Sequence, residues 1–255
     1  TNTFDEIFRL VEEKGVLALK PDEGSHGDGF YKFTYEDGKY QLNYQEVTKQ
    51  QVLDILEDID NQYLVTEYIN MCDELKAVYD GAVNTVRMIV FKKDGKNPQI
   101  GNAYVRFGSK KTGAVDNVGA GGMTATIDVA TGHFHDAKIV MNNSIEDCPI
   151  HPDTGVPIDG YLPHWEQVKQ QVLDVTKSIK QLEFFGVDLA VTNDGIKFPE
   201  INRFPDYPAV EKYTKPTREY LLYKLAGKKH HYGYDVTPNK TLVHLPKRDS
   251  ERGKS

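Results

Sequence analysis

The sequence is poor in cysteine and tryptophan and contains no long apolar run. Its 255 residues include two cysteines, Cys72 and Cys148, which are too few for a disulfide framework, so we expect two free thiols in a reducing cytoplasm. No apolar run approaches the ~18 residues that a membrane-spanning helix needs, and no signal peptide opens the chain. Positive charge is also in deficit, because the net charge of −7 argues against nucleic acid as the main partner. These absences indicate a cytoplasmic protein without membrane insertion.

What the sequence does contain favours a folded, sheet-rich protein. Hydrophobic residues make up 39% of the chain, enough for a sizeable core, and fifteen Tyr with eleven Phe favour well-packed sheets. Turn signals at Glu36-Asp37-Gly38 and Asn193-Asp194-Gly195 predict hairpins. A capping box at Thr48 and an amphipathic run at 165–182 predict helices, whereas the proline-containing segment 141–163 is predicted to be irregular. The mixture predicts an α+β fold with largely antiparallel sheets.

A glycine-rich segment follows the first predicted strand, which ends at Lys20. Glycine N–H groups can close around phosphate oxygens, and a lysine at the strand end can neutralise their charge. The segment is not a Walker A motif, since no Gly-Lys-Ser/Thr follows and a hairpin replaces the helix. It predicts a phosphate-binding loop, with a flexible surface turn as the alternative. The candidate residues are Lys20, Gly24, Ser25, Gly27 and Gly29.

Two carboxylates and an amide are predicted to meet on one face of the second hairpin. A three-residue loop with Gly195 in the αL conformation pairs position 192 with 196, 190 with 198 and 188 with 200. Asp188 and Glu200 then lie opposite each other, and Asn202 follows on the same face. Oxygen ligands on rigid strands suit Mg²⁺, which keeps water and phosphate ligands. We interpret the three residues as a magnesium site, with a solvent-facing acidic strand pair as the alternative.

Two further groups of residues give weaker signals. The strand that ends at Glu67-Tyr68-Ile69 can present its backbone to an adenine edge, and the following Asp73-Glu74 can accept ribose hydroxyls; an ordinary strand end is the alternative. Arg87 lies within an apolar strand, and with Arg106 and Arg203 it is a candidate for binding carboxylate or phosphate oxygens through its planar fork. Structural salt bridges are the alternative for each arginine.

Taken in order, these segments resemble the ATP-grasp superfamily, and in finer detail the sugar-transfer-associated ATP-grasp family. The resemblance covers about residues 3–205 and implies two lobes with ATP between them. Residues 1–75 would form a small lobe with the glycine-rich loop, 76–227 a large lobe with the metal site, and 228–255 a basic tail. The finer resemblance rests on Val83-Asn84-Thr85-Val86-Arg87, Val115-Asp116-Asn117, His151-Pro152-Asp153-Thr154-Gly155, Pro163-His164-Trp165 and Phe185-Gly186-Val187-Asp188.

The same resemblance assigns roles to the candidate residues. Lys20 would contact the α- and β-phosphates, and the glycine-rich loop would fold over the triphosphate. Adenine would be held by Glu67 and Ile69, with Tyr68 between them, and the ribose by Glu74 or Asp73. Magnesium ions would bind at the predicted metal site. The candidates for holding the acylphosphate or the substrate carboxylate are Arg87, Arg106 and Asn117, and Arg203 is a further catalytic candidate that would stabilise the tetrahedral intermediate.

The resemblance implies a ligase that uses ATP to activate a small-molecule carboxylate and joins it to an amine, with a link to sugars and capsular polysaccharide. The alternatives are a kinase that phosphorylates a hydroxyl on the same fold, a non-catalytic nucleotide-binding module and a plain structural domain. Two departures stand out. Related D-alanine ligases carry Arg at the position of Gly186, which leaves Arg87 or Arg203 to replace it. The resemblance also implies an N-terminal substrate domain, which this chain starts too late to contain, so we expect a trimmed fragment or the C-terminal module of a longer polypeptide.

Overall fold

A computed structural model describes residues 4–21, 29–57, 63–93, 95–141, 144–203, 205 and 217–221. The chain divides into two compact units, residues 1–212 and 213–255. In the second unit the described residues 217–221 are helical. The predicted basic tail lies outside the described residues, as do Gly24, Ser25 and Gly27 of the predicted phosphate loop.

The N-terminal part of the first unit is a five-stranded antiparallel sheet with the order β4-β3-β2-β1-β5. The apolar side chains Ile7, Phe8 and Val11 recur at helical spacing, which gives the first helix one apolar face to bury against the sheet. Gly15 ends that helix with a φ of +78°, a conformation that glycine adopts without a Cβ penalty. The elements are α1 (Phe4–Lys14), β1 (Val16–Pro21), β2 (Tyr31–Glu36), β3 (Lys39–Leu42), β4 (Gln45–Val47), α2 (Lys49–Glu57) and β5 (Tyr63–Glu67).

The remainder of the first unit is an eight-stranded antiparallel sheet, in which seven strands follow the order β10-β9-β8-β7-β6-β12-β13 and β11 pairs with β9. The helix Trp165–Ser178 packs one face against this sheet, and its residues Trp165, Val168 and Val172 belong to the hydrophobic core. The elements are α3 (Asp73–Val78), β6 (Val86–Lys92), β7 (Pro98–Phe107), a 3₁₀ turn (Val118–Ala120), β8 (Met123–Ile127), β9 (His133–Met141), β10 (Ser144–Asp147), β11 (Gly160–Tyr161), α4 (Trp165–Ser178), β12 (Phe184–Thr192) and β13 (Gly195–Asn202).

The described elements confirm the α+β class with antiparallel sheets flanked by helices. Buried side chains form two clusters, one from residues between 7 and 56 and one from residues between 71 and 191. The lobe boundaries at residues 75 and 227 stay a prediction. The segment 141–163 is less irregular than expected, because β10 and β11 lie within it.

The structure can be compared with two expectations, one from the scarcity of cysteine and one from the scarcity of apolar runs. Cys72 and Cys148 are both free thiols, as predicted. Burial raises the pKa of Cys72 to about 11, so this thiol is held in its neutral, unreactive form. Among the described residues, none of the helices combines the length and the apolar character that crossing a membrane requires.

Candidate active site

A cavity of about 890 Å³ is lined by residues of both sheets. We call its lining residues up to Ile69 the small wall and those from Val83 onward the large wall. The cavity brings together segments that are far apart in sequence, as a site between two lobes requires. Ten predicted site residues line it: Lys20, Glu67, Tyr68, Ile69, Arg87, Arg106, Asn117, Asp188, Glu200 and Asn202.

One row of directly opposed residues crosses six strands of the eight-stranded sheet. Opposed residues in neighbouring antiparallel strands project from the same face, and four members of this row line the cavity. The alternate positions, such as Met88 and Val187, project into the core on the other face. We call the row the polar row, and its members in order across the sheet are Glu200, Asp188, Arg87, Tyr104, Thr126 and His135.

Arg87 and Arg106 both bind the Asp188 carboxylate. Nε and Nη2 of Arg87 donate to Oδ1 and Oδ2 of Asp188 at 2.6 and 2.7 Å, and Nη2 of Arg106 donates to Oδ2 at 2.9 Å. Burial opposes ionisation of all three groups, but contacts with oppositely charged neighbours outweigh it. The pKa of Asp188 therefore lies below its ordinary value, and the pKa values of both arginines lie above theirs. The large wall thus presents fixed, fully charged groups to the cavity.

Asp116 and Thr85 fix Arg106 in place, and the motif argument missed both as site residues. Oδ2 of Asp116 accepts from the Thr85 backbone N–H at 2.8 Å and lies 3.5 Å from Nε of Arg106. The same Nε donates to Oγ1 of Thr85 at 3.0 Å. Both residues belong to motifs that carry the family resemblance, so a signal was present, but the motifs do not reveal which side chains meet. Tyr104 was also missed, although it lies two residues before Arg106 and hence on the same face.

Glu200 and Asn202 lie beside this charged cluster on β13. With the Asn202 amide oriented to satisfy its neighbours, its nitrogen donates to Oε1 of Glu200 at 2.7 Å and its oxygen accepts from Nη2 of Arg87 at 3.1 Å. Glu200 is exposed, whereas Asp188 is buried. The predicted metal residues are therefore neighbours in the cavity, and Arg87 contacts two of them.

The donor set of these residues fits a magnesium ion. Within the described residues no group of three or more His, Cys, Asp or Glu side chains could hold a metal ion. A site made of the two carboxylates of Asp188 and Glu200 and the amide of Asn202 therefore needs other ligands. A carboxylate has about four lone-pair sites, and three N–H donors occupy sites of Asp188, which leaves about one for a cation. Such a sparse set matches Mg²⁺, which usually keeps waters and takes further ligands from substrate phosphates. The magnesium site stays a prediction.

The β12–β13 hairpin confirms the pairing of Asp188 with Glu200 but corrects the rest of the predicted register. Thr192 pairs with Gly195 and Ala190 with Lys197, one position earlier than expected on β13. The loop therefore has two residues, and a bulge in β13 restores the Asp188 pair. Pro199 lies in that bulge on an edge strand, where proline is tolerated because it has no N–H for the ladder. Gly195 has a φ of +150° and not the αL value that a three-residue loop requires.

Gly186 occupies a position without room for a side chain. A Cβ at this position would lie 2.7 Å from Cβ of Pro205 and 3.6 Å from Cδ of Arg87. The Arg87 stem thus passes directly beside the position where related D-alanine ligases are expected to carry arginine. Arg203 is exposed, and it is not among the described residues that line the cavity. Of the two arginines, Arg87 is therefore the one shown beside Gly186 and in the cavity, and its role there stays a prediction.

Lys197 is a further lining residue that sequence reasoning missed. Its Nζ lies 2.5 Å from Oε1 of Glu67, which joins the edge strand of the large wall to the end of β5. Glu67, predicted to hold adenine, is therefore paired with a cation in this structure. A lysine on an exposed edge strand has no motif that would have distinguished it from a surface charge.

The other predicted nucleotide residues have different positions. Lys20 lines the cavity at the end of β1, and Tyr68 lines it with its ring 4.7 Å from Nζ of Lys32. Asp73 and Glu74 are exposed at the start of α3, and they are not among the described lining residues. Gly29 has a φ of +74°, and its carbonyl accepts from the hydroxyl of Tyr63. The roles of all these residues stay predictions.

The cavity between the two antiparallel sheets thus brings together residues to which the resemblance to the ATP-grasp superfamily assigns roles. The chain belongs to the sugar-transfer associated ATP-grasp family, whose model matches residues 1–209. No curated protein sequence matches the chain.

Solved structures of ATP-grasp ligases are similar to the chain at low identity. D-alanyl-alanine synthetase A from Vibrio cholerae is 12% identical with a TM-score of 0.44, and the match covers 88% of this chain and 55% of that one. D-alanine–D-alanine ligase from Bacillus anthracis, complexed with ATP, is 11% identical with a TM-score of 0.40, covering 89% and 52%. N5-carboxyaminoimidazole synthetase from Staphylococcus aureus, complexed with ADP, is 10% identical with a TM-score of 0.41, covering 81% and 38%. The chain thus spans about half the length of these proteins or less.

Proposed function

We propose that this chain is the ATP-binding part of a ligase that activates a carboxylate as an acylphosphate and joins it to an amine. The observation that carries the proposal is the large wall, where Arg87 and Arg106 are fixed by Asp188 beside the exposed Glu200. Phosphoryl transfer depends chiefly on positioned opposite charge, and such a wall supplies it without reorganisation. A structural salt bridge alone would not require a cavity in front of it.

ATP would bind between the two walls. Lys20 would neutralise the α- and β-phosphates, and the segment from Gly24 to Gly29 would cover the triphosphate. Adenine would contact Glu67, Tyr68 and the Ile69 backbone, which all line the small wall. Because Lys197 pairs with Glu67 in this structure, adenine binding would either keep that pair at its edge or displace it. The ribose would be reached by Glu74 or Asp73 only if the end of α3 lies close to the nucleotide.

Asp188, Glu200 and Asn202 would hold magnesium, which would neutralise charge on the phosphate oxygens. Arg87 and Arg106 would bind the carboxylate substrate and then the acylphosphate through their N–H groups, together with Asn117, which also lines the large wall. Arg87 would also take the role of the arginine that is absent at Gly186.

The chemistry consists of two displacements. An oxygen of the substrate carboxylate attacks the γ-phosphorus of ATP, the bond to the bridging oxygen breaks, and ADP leaves. The amine nitrogen then attacks the acyl carbon, inorganic phosphate leaves and the nitrogen loses a proton. Negative charge develops on oxygens in both steps, and Arg87 and Arg106 would stabilise it.

The biological setting proposed is cell-surface, and specifically capsular, polysaccharide biosynthesis in the cytoplasm. Support for it comes from the name of the family alone, which is an argument from association and not from the site. A sugar-linked carboxylate, such as a uronic acid, or an amino sugar would be the substrate.

Trapping of the acylphosphate tests this proposal directly. The full chain is incubated with Mg-ATP, a panel of uronic acids and hydroxylamine, and both ADP and hydroxamate are measured. A ligase produces hydroxamate and phosphate in step with ADP, and Glu200→Gln abolishes all three products in a folded protein. ADP that appears with a stable phosphorylated sugar and without hydroxamate would favour a kinase instead. Absence of ADP with every acid would contradict a ligase acting on uronic acids.

A further inference from the structure

The polar row ends in a stack of three rings at the molecular surface. The rings of Tyr161 and His133 are 4.7 Å apart with an angle of 20° between their planes. The rings of His133 and His135 are 4.8 Å apart at 29°. Tyr161 is 61% exposed, so the outermost ring keeps most of its surface in solvent. We call Tyr161, His133 and His135 the ring stack.

The ring stack lies on the same face of the sheet as the arginines of the cavity. His135 is a member of the polar row through its pairing with Thr126. Tyr161 pairs directly with His133 across β11 and β9. Phe134, between the two histidines, is buried in the core on the opposite face. One face of the sheet therefore carries both Arg87 and the ring stack, with Thr126 and the 3% exposed Tyr104 between them.

Two exposed carboxylates flank the stack. Oδ1 of Asp159 lies 3.2 Å from Nε2 of His133, and Oδ2 of Asp136 lies 3.0 Å from Nδ1 of His135. The two carboxylate side chains are 62% and 74% exposed. Each has oxygens available to a ligand in addition to its contact with an imidazole, because a carboxylate offers about four acceptor sites. Asp159 therefore lies beside the ring that stacks on Tyr161, whereas Asp136 lies at the His135 end of the stack.

The separation between the stack and the arginines sets the size of the ligand. Tyr161 on β11 is four strands from Arg87 on β6, by way of β7, β8 and β9, which corresponds to about 19 Å at a spacing of about 4.8 Å per strand. A small amino acid whose carboxylate is held at Arg87 cannot reach the stack. A uronic acid or amino sugar whose own reacting group is at Arg87 cannot reach it either, so a ring at the stack belongs to a further sugar unit of a longer substrate.

We propose that the ring stack binds a pyranose ring of the substrate that is distal to the reacting group, with the apolar C–H face of the sugar on Tyr161 and its hydroxyl or amino groups on Asp159. A pyranose has the apolar face and polar rim that this surface complements. The inference rests on the proposed function, because it places the reacting carboxylate or amine at the arginines and a distal sugar of the same substrate at the ring stack. It adds a second binding region outside the nucleotide cavity and assigns a sugar ring to that region.

Saturation-transfer NMR with free sugars tests the inference separately from the ligase reaction. The full chain is mixed with glucosamine, glucuronic acid or galacturonic acid, with Mg-ADP present so that turnover is prevented. We expect signals from the ring protons of at least one sugar, reduced about fivefold or more in Tyr161→Ala, as loss of roughly 1 kcal/mol of stacking predicts. Tyr161→Phe keeps the ring and should retain the signal, and Phe4→Ala removes an exposed ring on α1 as the matched control.

The outcomes separate this inference from the proposed function. Bound Mg-ADP without a signal from any sugar would overturn the ring stack as a sugar site and leave the nucleotide site standing. A sugar signal that is equal in the wild type and in Tyr161→Ala would also overturn it. Loss of the signal in Tyr161→Ala but not in Phe4→Ala or Tyr161→Phe supports it, even if the trapping experiment finds no acylphosphate.

Discussion

The two walls of the cavity differ in how they hold their charges. In the large wall, the Arg87 and Asp188 side chains are only 10% and 5% exposed and bind each other through two hydrogen bonds. Glu67 of the small wall instead pairs with Lys197 at the edge of the large wall. These side chains are 70% and 52% exposed and share a single contact. The Arg87–Asp188 pair is therefore a preorganised charged surface, whereas the charges of the Glu67–Lys197 contact remain available to solvent and to a ligand.

This difference has an energetic consequence. Removing one partner of a buried pair leaves an uncompensated buried charge, whereas an exposed pair gains little because water screens it. The large wall should thus matter for both folding and chemistry. The Glu67–Lys197 contact should matter for ligand binding and hardly at all for folding.

The largest effect is expected from Arg87→Met. This change leaves Asp188 buried with one arginine in place of two, and breaking such a pair costs about 3–5 kcal/mol of unfolding free energy. Urea denaturation of the variant beside the wild type measures this loss. A loss below about 1 kcal/mol, typical of a surface pair, would show that the Asp188 cluster is not held in a buried state.

Acid should unfold the protein partly through Asp188. Its pKa in the folded protein lies below its ordinary value, since the arginines outweigh the effect of burial. The unfolded chain therefore binds the proton more readily, and the stabilisation is present above the ordinary pKa of about 3.9 and lost as pH falls through the folded value. We expect Asp188→Asn to be less stable at pH 7 and to have a shallower loss of stability below pH ~4. Equal acid slopes in Asp188→Asn and the wild type would contradict this account.

The smallest effect on stability is expected from Lys197→Met. Exposed ion pairs contribute about 0–1 kcal/mol, so the urea midpoint should move little beside that of Arg87→Met. The comparison is sharp because both variants replace a cation by the same residue, one in a buried pair and one in an exposed pair. A loss as large as that of Arg87→Met would show that the contact between the walls is a structural support.

The sequence predicted the key pair of the hairpin for reasons that were only partly correct. The pairing of Asp188 with Glu200 follows from a three-residue loop and a regular ladder. The structure reaches the same pair with a two-residue loop and a bulge at Pro199, so two deviations cancel. Turn type depends on backbone angles that Asn-Asp-Gly does not determine uniquely.

Other parts of the site depend on contacts that no local pattern reveals. Arg87 was identified as a site residue because it is an arginine in an apolar strand, but its partner Asp188 is 101 residues away. Strand β9 lacks a clear alternation because Asp136 adopts a φ of +51° and the register shifts beside it. The ring stack therefore remained hidden, since its histidines lie on that strand and its tyrosine lies on the two-residue strand β11.

Calorimetric titration of the chain with ATP, with and without Mg²⁺, tests the central claim most directly when it is repeated on Lys20→Ala and Glu200→Gln. The account predicts binding that Mg²⁺ strengthens, that Lys20→Ala weakens under both conditions, and that Glu200→Gln weakens only when Mg²⁺ is present. Binding that is absent in the wild type, or that neither substitution changes, would contradict a nucleotide site between the two walls.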